Sequence, residues 1–189
     1  MTALNLFTAA ADLIPAAIDG EFGKRDACIL ATRLAIEVAA AFGIGAQPLS
    51  VRVALLNGAF AKHVKDGDAD VRKWASIDGS HSVGIGFGFK PGQDTTNRWN
   101  GHLIAAADGV FGDFAIRQAE RPEKGILTGS AIVGPWREPR WTVIDPESGT
   151  TLYYERIKNI LYRFSPDWRD EMRRRKLAGP IIRKLRRRL

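Results

Sequence analysis

The chain has 189 residues, of which 45% are hydrophobic and 26% charged, the balance of a single soluble globular domain. One cysteine excludes an internal disulfide framework, and with three histidines at no zinc-ligand spacing it also excludes a structural zinc module. The net charge of +7 is uneven: residues 169–189 hold ten basic and two acidic residues (+8), leaving 18 basic against 19 acidic over residues 1–168 (−1), so the body lacks the electrostatic signature of a nucleic-acid binder.

No apolar run approaches the roughly 18 residues of a membrane span. The first twenty residues contain Asp12 and no Lys or Arg, unlike a secretory signal, so a reducing, cytoplasmic setting is expected. Residues 2–19 are alanine-rich and predict a helix broken at Ile14-Pro15, with a turn at Asp19-Gly20 and Gly23. Asp26 is placed to cap a second helix, ACILATRLAIEVAAAF, which runs to about Phe42 and stops at Gly43 and Gly45. Its only charges, Arg33 and Glu37, stand four residues apart as a pair, and a helix this apolar is surrounded by other elements.

After Pro48 the pattern turns to strands. LSVRVALLN (49–57) is β-rich, residues 58–79 read as a polar excursion with a short helix near Val71–Trp74, and HSVGIGFGF (81–89) alternates strictly. The glycines of that strand make a Cβ-free face suited to close helix packing, and they lack the spacing and context of a phosphate-binding loop. PGQDTTN is a loop. GHLIAAA (101–107), Asp108-Gly109 and VFGDFAI (110–116) give the strongest hairpin signal, and WTVID (141–145) with TLYYERI (151–157) gives a second. Helices first and an antiparallel sheet after predict an α+β fold, with N-terminal helices and a buried central helix packed on the sheet.

Three residues combine into a possible thiol site. Cys28 opens the apolar helix, where unpaired N–H groups and the dipole favour a thiolate and can hold an oxyanion. His102 begins the first hairpin strand. With Asp108 and Gly109 as the turn, Asp113 opposes residue 104 and so lies diagonal to His102 on the same face, within reach of a longer side chain. A carboxylate there orients an imidazole that takes the thiol proton. On spacing alone the bland alternative stays open: a small core cysteine, and a strand-start histidine bonded to backbone. Gln118 and Trp99 are weaker candidates, the first to donate its amide to the site and the second to wall a substrate groove; Asn57 and Asn100 are further polar neighbours.

The run W-x-G-H-L-I-A-A-A-D-G-V-F-G-D-F (99–114), downstream of a cysteine that opens a buried helix, resembles the transglutaminase-like branch of the papain-like cysteine enzymes. The layout is similar to that of lasso-peptide leader peptidases and arylamine N-acetyltransferases, over roughly residues 24–121. The resemblance implies Cys28 as nucleophile, His102 as general base and acid, and Asp113 as the orienting carboxylate, with no cofactor or metal. Lys24-Arg25-Asp26-Ala27 replaces the Arg-Gly-Gly approach of the acetyltransferases, and Ile29 stands where animal-type transglutaminases have Trp. Both departures argue against a coenzyme A acetyltransferase or a calcium-dependent crosslinker. The expected activity is hydrolysis of a peptide or isopeptide bond in a peptide or protein substrate, with acyl or amide transfer by the same triad as the alternative.

The division expected is an enzyme domain over 1–167 and a basic amphipathic tail over 168–189. In the tail Trp168 and Met172 are four apart, Gly179-Pro180 breaks the helix, and Ile181, Leu185 and Leu189 form a stripe among arginines. Such a segment can meet an acidic partner, nucleic acid or a membrane surface. A non-catalytic module binding nucleic acid or an acidic protein through this tail is therefore the competing reading.

Overall fold

The computed structural model describes residues 1–22, 27–66, 79–86, 101–158 and 160–189. Three helices lead: α1 (Ala3–Ala10), α2 (Leu13–Phe22) and α3 (Cys28–Ala41). The first break falls at Ala11-Asp12 and not at Ile14-Pro15. Pro15 instead sits in the first turn of α2, where an N–H would have had no intrahelical partner. Asp19 and Gly20 continue that helix and form no turn. α3 ends as its glycines predict. Gly43 takes φ +75°, its N–H donates to Ala40 O, and Ile44 N–H donates to Ala39 O.

Most of α3 is buried, in keeping with its composition. Its two charges do not look to each other. Glu37 accepts from Arg174 Nη1 at 3.3 Å, and the Arg33 guanidinium lies 4.7 Å from the centre of the Trp168 ring.

The helices cover an antiparallel seven-stranded sheet that curls into a nearly closed, barrel-like form. Its order is β5 (Ile132–Pro135), β4 (Val110–Asp113), β3 (His102–Ala107), β1 (Gln47–Leu56), β7 (Thr151–Arg156) and β6 (Arg140–Ile144). β2 (Ser82–Ile85) pairs with the second half of β1, on the side where β3 pairs with the first half. The two short strands thus meet end to end. At their junction Gly86 has φ +76°, and a Cβ built there would lie 3.1 Å from the Gly101 Cα, so glycine lets the chain ends abut one residue before His102.

Alternation divides the sheet between two cores. Leu103 and Ala105 of β3 face the helices with Leu30, Leu34 and Phe7, whereas Ile104 and Ala106 face inward with Val51, Phe111, Trp141 and Tyr154. The excursion after β1 holds a helix, α4 (Gly58–Asp66), and β5 is a further element absent from the sequence reading. The helix expected near Val71–Trp74, the PGQDTTN loop, residues 87–89 of the alternating strand and the cap Asp26 lie outside the described residues.

The chain closes with α5 (Pro166–Arg169) and α6 (Glu171–Arg188). α6 runs straight through Gly179-Pro180, which was expected to break it: the proline removes one backbone hydrogen bond without ending the helix. Its buried face is Arg174, Ala178, Ile181 and Leu185, the last three packed in the same core as α1 and α3. Leu189 and Met172 are exposed. Asp12 and Arg188 tie the end of α6 to the α1–α2 corner at 2.9 Å. Among the described residues no helix is long and apolar enough to cross a membrane.

Candidate active site

Two local rules place His102 and Asp113. Asp108 (φ 51°) and Gly109 (φ 74°) form the tight turn that the sequence signals, so Ala107 pairs with Val110, Ala106 with Phe111 and Ala105 with Gly112. That register sets Asp113 opposite residue 104, diagonal to His102 and on the inward face. Both side chains are fully buried.

His102 Nε2 lies 2.8 Å from each carboxylate oxygen of Asp113. Nε2 therefore carries a proton and donates it to the carboxylate, leaving Nδ1 to face the rest of the site. Asp113 is itself held by two more donors: Ala115 N–H to Oδ1 at 3.2 Å and Tyr154 O–H to Oδ2 at 3.0 Å. Burial alone would lower the His102 pKa. The Asp113 charge and hydrogen bond, with smaller contributions from the hydrogen bond and charge of Cys28, overcome this and raise it to about 10. His102 therefore holds its proton far more tightly than a free imidazole does.

Cys28 is the first residue of α3 and only 6% exposed. Its helix is anchored beside the histidine by Thr32, one turn on, whose Oγ1 donates to Leu103 O at 2.7 Å. Ala27, at the cap position, offers no side-chain acceptor to the first-turn amides. Thus α3 brings its N-terminus and a thiol to the end of β3 where His102 stands.

Gln118 comes with them. It does not end a strand, as expected, but lies in a 3₁₀ turn (Ile116–Ala119), and its Nε2 is 3.2 Å from His102 Nδ1. Its Oε1 is buried without a partner. A half-turn of the amide exchanges the two atoms, so Gln118 donates to a neutral Nδ1 and accepts from a protonated one. A small cavity of about 20 Å³, room for one water, borders Gln118 and Ala27.

Trp99 and Asn100 lie outside the described residues. Asn57 does not join the site: its Oδ1 accepts from Phe60 N–H and His81 N–H, and its Nδ2 donates to Gly79 O and Lys124 O, so its amide is saturated in tying α4 to two loops. The residue that sequence reasoning missed is Tyr154. Its signal was weak, an alternating aromatic in TLYYERI, because its partner is 41 residues away. Burial, then the negative Asp113, holds its phenol well above the usual range and keeps it a donor.

Among the described residues no three His, Cys, Asp or Glu side chains converge as a metal site would require. Comparison of the chain with protein-family models, curated proteins and solved structures gives no match. The functional reading rests on this geometry: a thiol at a helix N-terminus, a buried histidine, and a carboxylate with three donors.

Proposed function

We propose that this chain is a thiol hydrolase of peptide or isopeptide bonds, of papain-like, transglutaminase-like type, working through Cys28, His102 and Asp113. One arrangement carries the reading: a fully buried histidine is fixed by a carboxylate through Nε2, at the end of the strand to which Thr32 ties the helix that the protein's only cysteine opens. An inert core cysteine has no need of such a neighbour, whereas a nucleophile does.

His102 takes the Cys28 proton and keeps it. The thiolate attacks the carbonyl carbon, and the oxygen, now negative, is held by the Cys28 N–H at the start of α3. The C–N bond breaks as His102 returns its proton to the leaving amine, giving an acyl-thioester on Cys28. His102 then takes a proton from water, the hydroxide attacks the thioester, and the released acid leaves the thiolate and imidazolium restored. Asp113 keeps the ring in the tautomer and orientation that this sequence of transfers requires.

The test is cleavage of a mixed library of peptides and isopeptide-linked peptides, followed by mass spectrometry. Cleavage by the parent, lost in both Cys28→Ala and His102→Ala, supports the proposal. A parent that cleaves nothing and whose thiol resists iodoacetamide sinks it.

A further inference from the structure

Between α3 and the first turns of α6 lies an open cleft of about 350 Å³. Its walls carry three arginines, Arg33, Arg174 and Arg175, against two carboxylates, Glu37 and Glu171. Arg174 pairs with Glu37 at 3.3 Å, and Arg175 pairs with Glu171 one helical turn away. That leaves one positive charge in excess, and Arg33 holds it. Its guanidinium is stacked over Trp168, and among the described residues its buried Nε has no hydrogen-bond partner. No carboxylate pairs with this guanidinium among the described residues, so an anion in the cleft gains a charge-assisted partner there.

We propose that this cleft is a binding site for an oxyanion, the phosphate of a phosphate ester or the carboxylate of an organic acid, which takes the acceptor role beside Arg33 and Arg174. Guanidinium forks match both groups in geometry, and one negative charge cancels the local surplus. Burial, and then the positive charge of Arg174, lower the Arg33 pKa, with Glu37 and Glu171 acting the other way. The volume is at the lower end of small-ligand sites. The site is separate from the chemistry proposed for Cys28, although it lies on the same helix.

The test is thermal denaturation at fixed ionic strength, titrating sodium phosphate and sodium acetate against sodium chloride. The melting temperature should rise with at least one oxyanion beyond the sodium chloride control, and go on rising with the logarithm of its concentration, as it does for a ligand that binds only the folded state. A rise with phosphate alone points to a phosphate ester, and with acetate alone to a carboxylate. Arg33→Gln should weaken the response about tenfold. Glu37→Gln, which raises the surplus to two charges, should strengthen it, an opposite effect that general damage to the fold would not produce. Cys28→Ala should respond as the parent does, which separates this site from the proposed chemistry. No rise in the parent beyond the sodium chloride control, an undiminished one in Arg33→Gln, or no strengthening in Glu37→Gln overturns the proposal.

Discussion

Tyr154 donates its hydroxyl to Asp113 Oδ2 at 3.0 Å, from a strand two places removed from β3 on the other side of β1. The carboxylate that holds His102 is therefore itself held from three directions, by the histidine, by Ala115 N–H and by this phenol. A carboxylate with that many donors cannot swing away from the ring, and this sets the first expectation.

Removing the phenol oxygen should loosen Asp113 without unpairing it. Tyr154→Phe is expected to cost about 1 kcal/mol, the value of one hydrogen bond. The stacked contact with Trp141, at 5.1 Å between ring centres, survives the change. Iodoacetamide alkylation of Cys28 should slow only a few-fold in this variant. A loss as large as that of Asp113→Asn would mean that the phenol does more than hold the carboxylate.

The thiol itself is the most direct probe of the proposed pair. Alkylation of the parent by iodoacetamide should remain fast near pH 6, and His102→Ala should slow it at that pH by at least about tenfold. Cys28→Ala should unfold within about 1 kcal/mol of the parent, since a thiol and a methyl differ little in a core. A cysteine that reacts at the same rate with and without His102 is only a packing residue.

The pH dependence of stability has a defined sign. The folded pKa of His102 is about 10 and lies above the unfolded value near 6.5. The ion pair therefore contributes fully below about pH 6.5, and its contribution is lost as pH rises through about 10. The melting temperature of the parent should fall across that window in thermal scans. Asp113→Asn should be less stable at neutral pH, by about 3–5 kcal/mol for a broken buried pair, and should show a flatter profile. Parallel profiles for the two proteins would count against the ion pair.

The parts of this site that the sequence discloses are those fixed by local rules. Asp108-Gly109 dictates a two-residue turn, the turn dictates the register, and the register alone puts Asp113 diagonal to His102. Cys28 at a helix start follows from the apolar run and its glycine stop. Tyr154 could not be read in the same way, because nothing in TLYYERI says that β7 lies on the opposite side of β1 from β3. β5 was invisible for a related reason: its four residues, Ile132–Pro135, are too few to make a pattern and are strand only because β4 pairs with them. In α6 the local rule misled. Gly179-Pro180 reads as a break, and splitting the helix there gives the stripe 181, 185, 189, whereas the continuous helix buries 174, 178, 181 and 185. Burial against α1 and α3 outweighs the local cost of proline.

That correction changes what removal of the C-terminal segment should do. A loosely attached basic tail could be cut at Trp168 with the body left intact. In the structure, Ala178, Ile181 and Leu185 lie in the core that holds α1 and α3, and Arg174 gives Glu37 its partner. Each buried Leu or Ile contributes roughly 1.5–3 kcal/mol, a large share of the 5–15 kcal/mol that holds a domain together. Truncation after Trp168 should therefore lower the melting temperature sharply. Leu185→Ala should cost about 2–5 kcal/mol, and Met172→Ala, on the exposed side, less than about 0.5 kcal/mol. Lys176, Arg183 and Arg187 lie opposite the docked face and are exposed, so neutralising all three should leave stability unchanged in urea titration. If Leu185→Ala proves as mild as Met172→Ala, α6 is not packed on α1 and α3 in solution.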